Sequence, residues 1–339
     1  AAAVVPARVV IEYQDRYQII SAAGTAFAQL SGTLLHQARA DRLRRPAVGD
    51  WLAVRPGGPH DDDMGTIVHL LERRTQFVRQ AAGRTSNAQV VAANIDTVFV
   101  VTSFNRDFNP RRIERYLATV AGSGAEPVIV LNKLDLCDDL PAYLDQLAGC
   151  APGVAVAVVS ARDQRGMDEL RPHLGPGRTV ALVGSSGVGK STLINWLVGA
   201  AVQDIGAIRA GDSKGRHTTT HRELILMPDG GVLIDTPGMR ELQLSGAQAD
   251  AAGAFTDIDQ LAAQCRFRDC THDREPGCAI RAALADGQLD PGRVASYHKL
   301  RREQAHAERR QDQGTDMATR KRWKRMSKAM KAYRRSGNR

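Results

Sequence analysis

The sequence predicts a multidomain chain: a central α/β phosphate-loop domain, a small all-β unit before it, and a mostly helical metal-binding unit after it. Three observations carry that prediction. Residues 1 to about 75 break into short strands separated by Gly, Pro and Asp. From Asp96 onward, Val- and Ile-rich runs alternate with helical patterns, and one run leads into Gly184-Ser185-Ser186-Gly187-Val188-Gly189-Lys190-Ser191. Finally Cys265, Cys270, His272 and Cys278 fall within fourteen residues.

The N-terminal unit comes first. Ala7–Tyr13, Tyr17–Ala22, Thr25–Gln29, Thr33–His36, Trp51–Arg55 and Gly65–Leu71 read as strands. Many short strands punctuated by turns predict a small barrel or sandwich. Asp61-Asp62-Asp63 sits among Pro, Gly and His and reads as a solvated hairpin loop rather than a metal site.

The central unit has a different rhythm. Asp96–Thr102, Pro127–Leu131, Val154–Ser160, Thr179–Val183 and Gly231–Ile234 are apolar runs, with helical patterns such as Pro110–Ala121 and Leu140–Gly149 between them. Buried strands alternating with helices imply a parallel sheet covered on both faces.

Gly184 to Ser191 follows the strand Thr179–Val183 and precedes the helical pattern Thr192–Val198. This is GxxxxGK[ST] in its confirming strand–loop–helix setting. Its glycines let backbone N–H groups of Ser185, Ser186, Gly187, Val188 and Gly189 turn toward phosphate oxygens, and the helix start, through Thr192, adds its positive end. Lys190 should reach the β- and γ-phosphates, and the Ser191 hydroxyl should ligate Mg²⁺.

A phosphate loop does not choose a base, but Asn132-Lys133-Leu134-Asp135 does. It follows directly on an apolar strand, at the carboxyl end of the sheet where ligands bind. Asp135 can accept from both N1–H and the N2 amine of guanine, and adenine would leave that carboxylate unpaired. Asn132 can bond the base edge and steady the loop, and the Lys133 stem can cover the ring. Ser160-Ala161 ends another strand and could offer N–H groups to the guanine carbonyl. Asp235-Thr236-Pro237-Gly238 supplies an Asp to hold Mg²⁺ through water and a Gly N–H to sense the γ-phosphate. Gly215-Arg216-His217-Thr218-Thr219-Thr220 lies where a switch segment belongs, and one of its threonines would bind Mg²⁺; Thr219 joins Lys190 and His217 in the expected catalytic set.

The order of these elements is unusual. In ordinary GTPases the phosphate loop precedes the NKxD and SA elements, and here it follows both. The pieces can still meet if the domain is circularly permuted. Whatever follows Asp235-Thr236-Pro237-Gly238 is then coupled closely to the second switch.

Cys265-x₄-Cys270-x-His272-x₅-Cys278 supplies three thiolates and an imidazole, a closed tetrahedral zinc set of structural type. Such a site can staple a small domain that lacks core. Cys137 and Cys150 read as packing residues. Five cysteines, an odd number, with no secretion signal suit a reducing, cytoplasmic compartment.

Composition sets the outer bounds. The 339 residues suggest two or three domains at roughly 150 residues each. Hydrophobic and charged contents of 43% and 24% exclude wholesale disorder, a collagen-like repeat or a disulfide-dense scaffold. No apolar run approaches the ~20 residues that span a bilayer. Ala1 to Ile11 lacks a basic region and a cleavage pattern, so it is not read as a signal peptide, and the absent initiator Met suggests trimming or processing. The net charge of +9 is a C-terminal feature. From Lys299 to Arg339 there are fifteen basic and four acidic residues, whereas the first 298 carry 31 against 33. Localised charge of this kind points to a polyanion or an anionic surface.

The permuted order, the GRHTTT segment, the Cys₃His cluster and the N-terminal β-unit together resemble the bacterial circularly permuted, small-subunit-dependent ribosome-assembly GTPases, over about residues 5 to 300. The resemblance implies an OB-fold barrel in 1–80, a permuted GTPase domain in 90–250, a zinc-binding domain in 251–310 and a basic tail in 311–339. It also implies binding of the 30S subunit and 16S rRNA by a monomeric factor without membrane attachment, late subunit maturation, and GTP hydrolysis to GDP stimulated by that particle. OB barrels are a common RNA-binding module, although the barrel segment shows no clear aromatic stacking motif. A GTP-regulated rRNA scaffold and a translation factor are the alternatives.

After DTPG many GTPases place a Gln that orients the attacking water. Here that place holds Met239, so the polar group must come from elsewhere; His217 is the best local candidate, and the resemblance supports the same residue. In the tail, Trp323, Met326, Met330 and Tyr333 form an apolar stripe among nine basic residues between Arg320 and Arg335. An rRNA-binding helix, a membrane-surface helix and a disordered solubilising tail all fit that pattern. The charge and the GTPase context favour the first.

Overall fold

In the computed structural model, the residues described are 3–58, 64–80, 88–104, 108–199, 222–235 and 255–302. Asp61-Asp62-Asp63, the segment Gly215 to Thr220 with His217 and Thr219, Thr236-Pro237-Gly238, Met239 and the basic tail lie outside them.

The N-terminal unit is a closed five-stranded barrel. It is built from β1 (Val5–Glu12), β2 (Tyr17–Ser21), β3 (Gly24–Leu30), β4 (Trp51–Arg55) and β5 (Gly65–Leu70). β1 pairs with β2 and β4, β2 with β3, β3 in parallel with β5, and β5 with β4, which completes the ring. Alternate residues point inward, so Ala7, Val9, Tyr17, Ile19, Ala28, Leu52, Val54 and Ile67 form the core.

The expected strand Thr33–His36 is instead part of helix α1 (Gly32–Ala40). The Ser31 hydroxyl accepts from Leu34 N and caps the helix start. Leu34 packs on the barrel core while the opposite side of the helix faces solvent. One capped, half-buried turn outweighed the local Thr-Leu-Leu strand pattern.

A two-stranded hairpin, β6 (Gln76–Gln80) with β7 (Ala88–Ala93), leads out of the barrel. The central sheet then runs β10-β9-β8-β11-β13-β12. Its strands are β8 (Thr97–Ser103), β9 (Glu126–Asn132), β10 (Ala155–Val158), β11 (Thr179–Gly184), β12 (Glu223–Leu226) and β13 (Val232–Asp235). All pairings are parallel except β12 with β13. Helices α2 (Pro110–Ala121) and α3 (Leu140–Cys150) cover one face, over Val98, Val100, Ile129, Leu131, Ala181 and Val183. α4 (Lys190–Val198) covers the other, over Phe99, Val101, Val128, Val130, Val180 and Leu182. Successive residues of each strand enter opposite cores, which is why these strands read as unbroken apolar runs.

Barrel and sheet are continuous. β1 pairs with β12 through Ile11 and Glu223. Beside that junction the Arg8 guanidinium is buried, donating to the carbonyls of Gly49 at 3.0 Å and Asn94 at 3.1 Å and to the Thr179 hydroxyl at 2.9 Å. Burial lowers its pKa to about 10.

The C-terminal unit packs the helices Thr256–Ala262, Ala279–Ala285 and 291–302 around Phe255, Ile258, Ile280, Val294 and Tyr297. Ala118 of α2 enters this core. Arg293, 2% exposed, clamps the unit to the sheet domain. It makes a bidentate pair with Asp257 at 3.0 and 2.7 Å, meets Glu114 of α2 at 3.1 Å, and donates to the Cys150 carbonyl at 2.6 Å.

Candidate functional site

β11 lies inside the parallel sheet, between β8 and β13, and the loops that follow parallel strands converge at one end. At that end lie Gly184 at the close of β11, Asn132 at the close of β9, Ser160 beyond β10 and Asp235 at the close of β13. The permuted order along the chain therefore does not separate these elements in space.

Two glycines of the phosphate loop are sterically required. Gly184 has φ +148, and a Cβ there would lie 2.2 Å from the Val101 carbonyl oxygen of the neighbouring strand. Gly189 has φ +98, and a Cβ would meet Asn132 Nδ2 at 2.3 Å. The loop packs against Val101 and Asn132 with no room for a side chain at either glycine.

Asn132 is 2% exposed and holds three loops together. Its Nδ2 donates to the Val188 carbonyl of the phosphate loop at 2.9 Å. Its Oδ1 accepts from Ala161 N at 3.0 Å. Its side-chain amide is committed to backbone on both sides. Lys133 adopts φ +66, a left-handed conformation that turns the chain sharply between Asn132 and Asp135. Asp135 Oδ1 accepts from the Ser160 hydroxyl at 2.8 Å, and Leu134 N donates to the Val159 carbonyl at 3.0 Å. Ser160-Ala161 and Asn132 to Asp135 therefore form one cross-linked unit.

Lys190 is buried at the start of α4. Its ammonium donates to the Gly184 carbonyl at 2.8 Å and to that of Ser185, across the mouth of the loop. Ser186, Ser191 and Thr192 are exposed beside it, and Val188 is buried under it. His217, Thr219 and Gly238 lie outside the described residues, so their placement relative to this site stays with the sequence argument.

Two residues that the sequence argument did not single out touch the loop. Arg112 Nη1 donates to the Ser185 hydroxyl, and the Tyr116 side chain shares a hydrogen bond with the same group. No local motif marks them. The usable signal was topological: the helix after β8 must run beside β11.

The second cluster is the metal-ligand set. Ligand atoms of Cys265, Cys270, His272 and Cys278 all lie within 4.8 Å of one another. Cys265 Sγ is 3.9 Å from Cys278 Sγ, and His272 Nδ1 is 3.5 Å from both. A tetrahedral ion with ~2.3 Å bonds to sulfur and ~2.0 Å to nitrogen sets S···S near ~3.8 Å and S···N near ~3.5 Å. The residues fit such an ion. Burial lowers the His272 pKa and so favours the neutral, ligating imidazole. Burial pushes the Cys265 thiol up, but the N–H groups of Ala279 and Ile280 together with hydrogen bonds from Cys278 and Cys270 turn the net direction down, toward thiolate. Glu275 braces the turn carrying His272 by accepting from Thr271 N at 2.9 Å, Asp273 N at 3.1 Å and Arg274 N at 3.0 Å.

Comparison with known proteins agrees with this geometry. The RsgA GTPase family model matches residues 70–245. An ABC transporter model also matches 167–333, a span that holds the phosphate loop but not the Asn132 to Asp135 segment. The chain is 51% identical over 334 residues to the "Small ribosomal subunit biogenesis GTPase RsgA" of Opitutus terrae, covering 96% of this chain and 91% of that one. It is 51% identical over 308 residues to the protein of that name from Xanthomonas campestris, covering 89% and 81%. Among solved structures, YjeQ from Thermotoga maritima aligns with a TM-score of 0.66 at 26% identity, over 89% of this chain and 99% of that one. YloQ, described as a circularly permuted GTPase, aligns at 0.64 and 24%, over 89% and 96%. The segment Asn132 to Asp135 is tied to a phosphate loop that follows it in sequence, with a closed barrel ahead of them and a Cys₃His cluster behind, and by the family model and these relatives the chain belongs to the RsgA GTPase family.

Proposed function

We propose that this protein hydrolyses GTP on the small ribosomal subunit, as a checkpoint late in the maturation of that particle. The observation that carries the reading is the Asn132 amide, which binds the phosphate loop with one atom and the Ser160-Ala161 loop with the other. A site held this way recognises guanine and phosphates as one ligand. The relatives' name supplies the particle.

In this reading Asp135 accepts from the guanine N1–H and N2 amine, while Ser160 keeps its carboxylate oriented. The N–H groups of 185–189 and the Lys190 ammonium hold the β- and γ-phosphates, and charge stabilisation there is most of what phosphoryl transfer requires. Ser191, Asp235 and Thr219 would hold Mg²⁺, which neutralises charge developing on the phosphates. Gly238 would sense the γ-phosphate. His217 takes the role of orienting the attacking water, because Met239 cannot. Cys265, Cys270, His272 and Cys278 would hold zinc as a structural ion.

The barrel, of OB type, and the basic tail would bind 16S rRNA. The chain would act as a cytoplasmic monomer divided at 1–80, 90–250, 251–310 and 311–339. Among the described residues no helix is long and apolar enough to cross a membrane.

GTP turnover with and without purified 30S subunits tests the proposal. Expected are slow turnover alone, strong stimulation by 30S subunits, and loss of stimulation but not of GTP binding in His217→Ala. Stimulation by intact ribosomes and not by subunits would favour a translation factor. A His217→Ala protein that leaves the subunit as fast as the unaltered protein would favour a scaffold.

A further inference from the structure

Helix α2 carries polar groups that guanine recognition and phosphate binding do not use. Arg112 and Tyr116, four residues apart and so on one face of the helix, both engage the Ser185 hydroxyl in the phosphate loop. Arg111 and Glu114, three apart, engage the Cys₃His unit. Arg111 Nη2 donates to Asp290 Oδ1 at 2.6 Å, and Arg111 Nη1 donates to Glu114 Oε1 at 3.1 Å. Glu114 is fully buried and its Oε1 also accepts from Arg293 at 3.1 Å. The Asp290 carboxylate in turn accepts from Arg293 N at 2.7 Å, at the start of the helix 291–302. One helical turn further on, Ala118 is a member of the unit's own apolar core.

These contacts make a short solid path from nucleotide loop to metal unit. A buried ion pair with every partner in place does not slide by small amounts; it holds one arrangement or changes to another. Movement of Ser185 therefore reaches α2 through Arg112, and movement of α2 reaches Asp290 and Arg293 directly. The path leaves the switch segments aside.

We infer that α2 is a lever joining the phosphate loop to the Cys₃His unit, with Arg112 as the positioning residue that transmits the loop's nucleotide state. The inference rests on the reading of the phosphate loop as the nucleotide site. It gives the metal unit a second line of communication with that site, besides the chain connection after Asp235.

Hydrogen–deuterium exchange on the full chain tests it, without nucleotide, with GDP and with a non-hydrolysable GTP analogue, alongside titration with fluorescent GDP. In the unaltered protein, nucleotide should change exchange in peptides covering 290–302 by about tenfold. Arg112→Met should still bind GDP and lose that response, and Arg112→Lys, which can still donate to Ser185, should regain part of it. Arg111→Met breaks the path at Asp290, away from the phosphate loop, and serves if Arg112→Met does not fold. A response in 290–302 that survives in Arg112→Met or Arg111→Met overturns the inference. So does an unaltered protein that binds GDP with no response there. Failure of the unaltered protein to bind GDP at all would overturn the nucleotide-site reading, and the inference with it.

Discussion

Arg8 and Thr179 stand 171 residues apart in the chain and share a 2.9 Å hydrogen bond. One belongs to the first strand of the barrel, and the other opens the strand that delivers the phosphate loop. The same guanidinium holds Gly49 and Asn94, so a single side chain pins barrel, connecting hairpin and sheet at one point.

Replacing it should loosen that point. Arg8→Met keeps the stem but takes a donor from three buried acceptors, of which the Gly49 carbonyl keeps Asn94 Nδ2 at 3.2 Å, at a cost of roughly 1–3 kcal/mol for each group left unsatisfied in full. We expect a total loss of about 3 kcal/mol, with the acceptors partly re-paired, read as a lower urea midpoint. A midpoint unchanged from the unaltered protein would mean that the barrel is held by its apolar contacts alone.

Gly189→Ala should damage nucleotide binding more than stability. The added methyl lies where Asn132 Nδ2 already sits, and φ is +98. The amide must swing out and release Val188 or Ala161. A loss of about 2–3 kcal/mol, roughly a hundredfold in GDP affinity, is expected from one broken buried network. Fluorescent-GDP titration measures it, with circular dichroism to check that the fold remains.

Asp135→Asn should change which base is read. An amide can donate to the C2 carbonyl of xanthine, where the carboxylate instead accepted from the guanine amine. GTP affinity should fall by about a thousandfold, as befits loss of charge-assisted hydrogen bonds in a buried site. Xanthosine triphosphate should bind better than GTP. Equal weakening toward both nucleotides would place the base elsewhere.

Removal of the metal should act locally first. Cys278→Ser, or a strong chelator, should take zinc content from one ion per chain to none, measured by atomic emission. The helices Thr256–Ala262 and Ala279–Ala285 should then become sensitive to protease, because so small a unit needs its staple. Guanine-nucleotide binding should persist, since none of Asn132, Asp135 or the phosphate loop belongs to that unit.

How much of this was readable beforehand divides by distance along the chain. The phosphate loop, Asn132 to Asp135 and the Cys₃His cluster are contiguous or nearly so, and each residue type has a local chemical reason to be there. Helix α2 and the long strands of the sheet announced themselves by period and by Val and Ile content. α1 was misread because Thr33 to His36 looks extended in isolation, although Ser31 already offered a cap. The four-residue β12 and the hairpin β6–β7 are too short or too mixed to stand out, and their pairing partners define them. Arg8, Arg112 and Arg293 were invisible for a different reason. Each is one arginine among many until a partner far away in sequence is brought within 3 Å or so, and only the fold does that.

The junction of Ile11 with Glu223 has a protective consequence. β12 is the last strand of the central sheet on its side, and an outermost strand offers unpaired amides and carbonyls to any extended chain that meets it. Here β1 of the barrel takes that place, and the barrel itself has no open side because its own strands close on one another. The N-terminal unit thus serves the GTPase domain as a guard against sheet-to-sheet sticking. A chain deprived of the barrel would present β12 to its neighbours, and its first failure would be aggregation rather than loss of chemistry.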